Sequence, residues 1–349
     1  MTELYPAGRP ALYLAPMQDV TDLTFLRVLS RYGGADLYVT EYFRVHPDSR
    51  PSAWILRSID ENPTGRPIFA QMIGQDPEAL VRTARQLLEH PVSGIDLNLG
   101  CPAPVVCRKE AGGGLLRNLP KVDRLLGTLR DAIPTRFTVK TRIGYHEADE
   151  FPALLELFSR HAIDALAIHG RTVKERYSTP IHPDCIRQAV DLLPCPVVAN
   201  GNIVDVETGL ALHRESGAAG LMIGRGAIRN PWLFDQLRAA FAGEKPIQPS
   251  YRELLGYVQL LYEEVASDSP KYDPLLHVQR MKKTMLFVTQ GFDPDFEQQL
   301  RRAKTADEFH GICRTFLDRD DPFPILPNES SRLFCGFSEL RSGALRAPG

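Results

Sequence analysis

The chain repeats one pattern eight times: a short apolar run followed, in most cases, by a segment with helical spacing. Apolar, β-branched runs that alternate with amphipathic segments indicate parallel strands joined by crossover helices. Eight such units over roughly 230 residues match the usual size of a (β/α)8 barrel. The sequence therefore predicts an α/β fold, a TIM barrel. The eight predicted strands are residues 12–15, 37–40, 68–72, 95–98, 137–140, 165–168, 197–200 and 220–223.

An open, doubly wound sheet is the competing arrangement of parallel strands. Its dinucleotide-binding members carry a glycine fingerprint directly after the first strand, whereas Pro16-Met17-Gln18-Asp19 stands there in this chain. This difference favours the closed barrel. The second unit is the weakest, because residues 44–66 contain several prolines and only a short apolar helical segment at 53–59.

The strand pattern stops after Phe241, and residues 242–246 have the composition of a linker. Helical spacing returns at 251–266, 276–288 and 296–317. We therefore predict three parts of the chain, of which the last frays as chain ends commonly do. They are a barrel domain over 1–241, an all-α domain over 247–335 and a disordered tail over 336–349.

The charge balance excludes a globally basic protein, because the formal net charge of the 349 residues is −2. A polyanionic partner must then meet a local basic patch. The helical domain offers basic side chains for such a patch, although an ordinary solvated helix surface is the alternative. These side chains are His277, Arg280, Lys282, Lys283, Arg301, Arg302 and Lys304.

Compartment and metal content follow from what the sequence lacks. No apolar run approaches the ~20 residues of a membrane span, and residues 1–6 do not resemble the start of a signal peptide. The six cysteines contain no CxxC pair and no zinc-type spacing. We expect a cytoplasmic protein with reduced thiols, no metal site and no membrane contact.

Polar residues follow most of the predicted strands, and active sites of barrels lie at that end. Lys140 ends the fifth strand; if buried, it needs an anionic or electron-rich partner. That partner is either a cofactor ring or a carboxylate, Asp96 or Glu41. His169 ends the sixth strand and is either a ligand contact or a core histidine.

Two tripeptides follow the seventh and eighth strands, where barrels usually bind phosphate. They are Asn200-Gly201-Asn202 and Gly224-Arg225-Gly226. Glycines let the backbone approach an anion closely, and Arg225 adds charge-assisted hydrogen bonds. Either tripeptide alone could be an ordinary turn, but together they predict a phosphate site.

Cys101 is the strongest candidate for chemistry, because Asn98-Leu99-Gly100-Cys101-Pro102 places one thiol directly after the fourth strand. A thiol is mostly protonated near neutral pH and can donate a proton. A nucleophilic role is the alternative, but no histidine is placed by the sequence to activate it. The Gly-rich segment 101–116 predicts a lid, or else a surface insertion. The other five cysteines are interpreted as small, buried apolar residues.

Taken together, these motifs resemble the tRNA-dihydrouridine synthases, and the overall pattern favours the bacterial C-type branch. The resemblance spans residues 12–238, and the helical tail also fits. Gln18 and the segment 177–180 differ from the residues frequent in relatives. The matching pieces are Ala15-Pro16-Met17 with Thr21-Asp22, residues 70–74, Asn98–Pro102, Lys109 with 111–116, residues 139–142, His169–Thr172, Ala199–Ile203 and 222–227.

The resemblance implies FMN in the barrel, NADPH as reductant, a tRNA substrate gripped by the helical domain, and no obligate protein partner. It implies hydride transfer from FMN N5 to uracil C6 and a proton from Cys101 to C5. The residues implied to contact the cofactor are Pro16, Met17, Gln18, Gln71, Lys140, His169, Asn200, Gly201, Asn202, Gly224 and Arg225. Those implied to contact the substrate are Asn98, Lys109, Arg142, Arg171, Arg280 and Lys283.

Two other functions remain open from the residues alone. One is a flavin barrel that acts on free pyrimidines, as dihydroorotate or dihydropyrimidine dehydrogenases do, although the helical tail argues against it. The other is a tRNA-binding or tRNA-folding protein without turnover. Flavin absorbance together with a requirement for Cys101 would exclude the second.

Overall fold

The computed structural model describes residues 4–268, 273–328, 331 and 333–342. Eight parallel strands close into a barrel, so the predicted TIM barrel is confirmed. A ninth strand of two residues, β3, pairs only with the end of β4. The strands are β1 (Ala11–Leu14), β2 (Leu37–Val39), β3 (Phe43–Arg44), β4 (Ile68–Ile73), β5 (Gly94–Asn98), β6 (Arg136–Arg142), β7 (Ala165–His169), β8 (Val197–Asn200) and β9 (Gly220–Ile223).

Helices surround the barrel and bury their apolar faces against its outer surface. Several begin with a side-chain cap; Asp76, for example, accepts a hydrogen bond from the backbone of Ala79. The helices of this part are α1 (Leu23–Ser30), α2 (Ala53–Asp60), α3 (Pro77–Leu87), α4 (Pro104–Arg108), α5 (Leu119–Ala132), α6 (Phe151–Ser159), α7 (Pro183–Leu192), α8 (Val206–Ser216), α9 (Arg225–Arg229) and α10 (Leu233–Phe241).

The barrel interior carries an unusual polar layer. Side chains alternate between the two faces of a strand, so on β5 Asp96 and Asn98 share one face while Ile95 and Leu97 pack toward the helices. Asp96 lies in register with Thr138 of β6, and Asn98 lies in register with Lys140. This alternation places the polar side chains of two neighbouring strands inside the barrel, near its carboxyl end.

The helical domain packs against α1 and α9. The single helix predicted over 296–317 in this domain is wrong. The segment 296–317 forms two helices, because Thr305 and Glu308 make a capping box that starts a new helix after Ala303. The helices of the domain are α11 (Tyr251–Ser267), α12 (Pro274–Val288), α13 (Pro294–Arg302) and α14 (Ala306–Leu317).

Two segments that the sequence predicts to be mobile are folded. In the Gly-rich segment, α4 and a 3-10 turn at Gly112–Arg117 pack together, and Gly112 to Leu116 are buried. The predicted disordered tail is wrong for residues 336–342, because a helix, α15 (Ser338–Ser342), forms there and Phe337 and Leu340 are buried. Residues 343–349 lie outside the described residues. Within the described ranges, no helix is long and apolar enough to cross a membrane.

Candidate active site

A cavity of about 500 Å3 opens at the carboxyl ends of the barrel strands. Its size lies within the range of small-molecule and cofactor sites. Loops that follow most of the strands contribute to the wall, as expected for a barrel active site. The predicted residues on this wall are Pro16, Met17, Gln18, Asn98, Cys101, Lys140, Arg142, His169, Asn200, Gly201, Asn202, Gly224 and Arg225.

Cys101 lies on the cavity wall, half-buried, just after β5. Its backbone N–H donates to Oδ1 of Asn98 at 2.9 Å. Arg142 supports the same loop, because its Nε donates to the carbonyl of Gly100 at 3.0 Å and its Nη1 to the carbonyl of Thr172 at 2.6 Å. The thiol is thus presented by a loop held in place from two sides.

Lys140 is one of the cations on the cavity wall. Its Nζ donates to Oδ1 of Asn200 at 3.1 Å. Burial and the charge of Arg142 lower the pKa of Lys140 to about 8, although Asp96 acts in the opposite direction. Within the described residues, Lys140 makes no ion pair with Asp96 or Glu41, so the carboxylate alternative is not realised. Among the described residues, the partner of its ammonium is the amide oxygen of Asn200, at the edge of the cavity.

His169 is neutral at physiological pH. Burial lowers its pKa well below the ordinary value, and the charges of Arg142, Lys140 and Arg171 lower it further. Its Nε2 lies 3.3 Å from Nη1 of Arg171. A neutral imidazole among cations can accept a hydrogen bond, but it does not serve as a proton donor near neutral pH.

The two predicted phosphate loops meet at one end of the cavity. Asn200 is fixed by donation from its Nδ2 to the carbonyl of Met222 at 2.8 Å. Gly201 has a φ of 138°, which favours glycine. A Cβ on Gly224 would lie 3.2 Å from the sulfur of Met17, so the missing side chain keeps this corner open. The arrangement suits an anion held by backbone and amide donors.

Arg225 and Asn202 also bind the carboxyl-terminal segment. Arg225 lies over the ring of Tyr177 at 4.1 Å, and its Nη1 donates to the carbonyl of Leu333. The Nδ2 of Asn202 donates to the carbonyl of Gly336. Leu333, at the end of the predicted helical domain, thus closes the outer end of the cavity, and Gly336 of the predicted tail is bound beside it.

Gln18 offers an unused acceptor. Its Nε2 donates to Glu41 at 3.1 Å, while its Oε1 is buried and has no hydrogen-bond partner within the part of the chain that the structure describes. A buried polar atom without a partner is costly, and in a binding site it commonly awaits a ligand. Gln18 therefore suits a ligand that carries an N–H group.

Two predicted contact residues do not reach the cavity. Gln71 is fully buried, and both ends of its amide are used: Nε2 donates to Asp96 and Oε1 accepts from Asn98. Arg171 is also fully buried and donates to the carbonyls of Thr179 and Tyr177 and to Asn202. Neither residue is on the cavity wall, and the polar atoms of both side chains already serve neighbouring residues. Their direct contacts with cofactor or substrate stay predictions.

The predicted surface contacts differ from one another. Lys109, after α4, and Lys283, on α12, are exposed and lie away from the cavity wall. Arg280 instead pairs with Asp22, the N-cap residue of α1, and lies over Trp54 at 5.7 Å. Arg280 therefore joins the helical domain to the barrel. His277, another member of the predicted patch, is buried against Tyr262.

Sequence reasoning missed several wall residues, among them Tyr42, Tyr177, Phe287 and Leu333. Tyr42 follows the second strand, which has a weak sequence pattern. Its place after a strand is the one signal that could have marked it as a cavity residue. Tyr177 belongs to a segment noted only for its departure from relatives. Phe287 and Leu333 come from α12 and the carboxyl-terminal segment, and nothing local in the sequence marks them.

Comparisons with known proteins agree with this architecture. The model of a family described as "Dihydrouridine synthase (Dus)" matches residues 13–319. The tRNA-dihydrouridine(16) synthase of Ralstonia nicotianae is 36% identical over 250 residues, covering 69% of this chain and 76% of the relative. The tRNA-dihydrouridine synthase B of Xanthomonas axonopodis pv. citri is 32% identical over 317 residues, covering 88% and 93%.

A solved structure shows a similar fold. Histamine dehydrogenase from Rhizobium sp. 4-9 is 12% identical, with a TM-score of 0.50 over 72% of this chain and 49% of that chain. This likeness shows the fold alone. Because curated relatives with two different subgroup names match at similar identity, the C-type branch stays a prediction.

Proposed function

The chain belongs to the dihydrouridine synthase family, and from that premise we propose that it reduces specific uridines in tRNA to 5,6-dihydrouridine, with FMN as cofactor and NADPH as reductant. One observation carries the proposal beyond the family. A single cavity at the carboxyl end of the barrel combines a thiol, a cation and phosphate-type donors. A tRNA substrate would place the protein in the cytoplasm.

The wall residues fit FMN. Arg225 and the glycines of the two tripeptides supply the cation and the open backbone that a phosphate requires. The unpartnered Oε1 of Gln18 suits a ring N–H, and Lys140 places positive charge near an electron-rich ring. When bound, a flavin supplies the hydride that uracil C6 receives.

Cys101 delivers the proton in this proposal. After hydride addition, negative charge lies on the uracil ring, and the thiol proton passes to C5. The supported loop of Cys101 keeps the sulfur at the wall of the cavity. The target uridine must leave its stack to enter, which costs a few kcal/mol and is least costly in loops.

Contacts with tRNA require local positive charge, because the net charge of the chain is −2. Lys283 of the helical domain and Lys109 beside the cavity loop are exposed and available for phosphate. We propose the helical domain, residues 247–335, as the part that binds tRNA and the barrel, residues 1–241, as the part that binds FMN. Such binding weakens steeply with salt.

Purified protein tests the proposal directly. It should be yellow, release FMN on denaturation, and form dihydrouridine when given NADPH and unmodified tRNA, as measured by mass spectrometry of digested nucleosides. Reduction of free uracil or oxidation of dihydroorotate, with no product in tRNA, would favour the free-pyrimidine alternative. A colourless protein that binds tRNA without turnover would favour the non-catalytic one.

Raising the pH through about 8 should weaken FMN binding, because Lys140 loses its proton there. The pKa of Lys140 in the folded protein is lowered but still lies above 7. The ammonium is therefore charged at pH 7 and loses its proton as the pH rises through about 8. At an effective dielectric constant of about 20, loss of one favourable charge interaction is expected to weaken binding by on the order of tenfold, about 1.4 kcal/mol. Flavin fluorescence titrations between pH 7 and 9.5 measure this change.

Lys140→Met is the matched control for that titration. Its affinity should be low already at pH 7 and nearly constant as the pH rises. A wild-type dissociation constant that does not change over this range, or a Lys140→Met variant with the same slope as wild type, would contradict the role of Lys140.

A further inference from the structure

A buried hydrogen-bond chain begins inside the barrel at Asp96. Thr138 Oγ1 donates to one carboxylate oxygen of Asp96 at 2.5 Å, and Gln71 Nε2 donates to the other at 2.8 Å. All three residues lie side by side in register on neighbouring strands and are buried. Neither Asp96 nor Gln71 is on the cavity wall.

This series of hydrogen bonds continues through Asn98 to the loop that carries Cys101. The Nδ2 of Asn98 donates to Oε1 of Gln71 at 2.8 Å. Its Oδ1 accepts the backbone N–H groups of Gly100 and Cys101 at 3.0 and 2.9 Å. An unbroken series of hydrogen bonds thus connects one carboxylate with the backbone of Cys101.

The direction of this series is set by Asp96. An amide side chain can face either way, whereas a carboxylate only accepts hydrogen bonds. Asp96 therefore requires the NH2 group of Gln71, which turns the oxygen of Gln71 toward the NH2 group of Asn98. The oxygen of Asn98 is then left for the backbone N–H groups. Reversing any one amide would set two donors or two acceptors against each other.

We propose that Asp96 is a positioning residue for Cys101: it fixes the direction of the Gln71–Asn98 amide pair and thereby the backbone from which the thiol projects. The inference rests on the proposed function, because it takes Cys101 as the proton donor. Displacing a reacting group by about 1 Å can cost as much as 10²-fold in rate, so control of this backbone matters for proton transfer.

The ionisation of Asp96 agrees with this role at neutral pH. Burial raises the pKa of Asp96 to about 6, while hydrogen bonds from Thr138 and Gln71 and the charge of Lys140 act in the opposite direction. The titratable groups whose charges act on it, or on which its charge acts, are Lys140 and the buried phenol of Tyr13. Measurements at pH 8 therefore examine the ionised carboxylate.

Asp96→Asn is the decisive substitution, because asparagine keeps the shape but can present either an oxygen or an NH2 group to Gln71. Stopped-flow absorbance separates reduction of the flavin by NADPH from its reoxidation by tRNA. We expect the step with NADPH to stay within about twofold and the step with tRNA to slow about tenfold. Thr83→Val removes a buried hydroxyl on α3, outside this series of hydrogen bonds. It should change neither step.

A double-variant comparison separates positioning from general damage. With Cys101→Ala already present there is no thiol to position, so adding Asp96→Asn should cost less than about twofold more. Equal losses from Asp96→Asn in both backgrounds, or an equal loss in the step with NADPH, would overturn the inference.

A readout without turnover keeps the inference apart from the proposed function. Iodoacetamide alkylation of Cys101, followed by peptide mass spectrometry, should be about threefold faster in Asp96→Asn because the loop is loosened, with half-buried Cys195 as the internal reference. An unchanged alkylation rate at Cys101 would overturn the positioning role even if the wild type made dihydrouridine. Faster alkylation in a protein that reduced no tRNA would uphold the positioning and refute the function.

Discussion

Replacing Cys101 with alanine should slow dihydrouridine formation by about 10²- to 10⁴-fold, the range that a positioned general acid contributes. The substitution removes the proton donor from the cavity wall but none of the groups at the phosphate end. FMN content and the rate of flavin reduction by NADPH should therefore stay near wild type. Rapid-quench assays with tRNA, analysed by nucleoside mass spectrometry, measure the effect.

Two further thiol variants make that result specific. Cys101→Ser should stay strongly impaired, because a hydroxyl is a much weaker acid than a thiol. Cys195→Ala, in the turn before β8 and outside the cavity wall, should keep full activity. A Cys101→Ala protein within about threefold of wild type would remove this cysteine from the proton-transfer step and leave the acid to be sought elsewhere.

The parts of the site that could be predicted from sequence are those set by local periodicity. Parallel strands end at the same face of a barrel, so a polar residue after an apolar run can be assigned to that face without knowing the fold in detail. Cys101, Lys140 and Asn200 are of this kind, and each lies on the cavity wall. Residue order along the strand was sufficient to place them.

Long-range packing explains what could not be predicted. Arg280 meets Asp22 across 258 positions of sequence, and Arg225 meets the carbonyl of Leu333 across 108. Arginine is usually exposed, so sequence alone gives no reason to expect such partners. The same holds for Arg171. Its position after the sixth predicted strand predicts a ligand contact, but its guanidinium donates to the carbonyls of Thr179 and Tyr177 in the loop that follows.

Glycine was ambiguous for a physical reason. The run 112–114 has the composition of a flexible lid, yet each residue is buried. A Cβ on Gly114 would lie 2.6 Å from the carbonyl oxygen of Cys107, and one on Gly113 would lie 2.6 Å from Val173. Glycine here allows close approach of chain segments, a use that composition cannot distinguish from flexibility.

Replacing Arg229 with methionine should lower the free energy of unfolding by about 2–4 kcal/mol, because a buried carbonyl left without a donor costs about 1–3 kcal/mol, while the desolvation cost of the buried charge is relieved. Arg229 is fully buried on α9, and its guanidinium lies over Phe292 at 4.5 Å. It donates to four backbone carbonyls between the barrel and the helical domain. They belong to Val288, Gln290, Pro324 and Ile325.

Methionine fills part of the space but donates nothing, so those carbonyls lose their partner while remaining in the interface. Urea unfolding followed by circular dichroism measures the loss. Arg31→Met is the matched control: Arg31 is 59% exposed and pairs with Glu264 at the surface, so its removal should cost less than about 1 kcal/mol. Equal stability losses in the two variants would show that the domains are not held together through Arg229. A large loss confined to Arg229→Met would instead show that this buried side chain helps to fix the helical domain over the barrel.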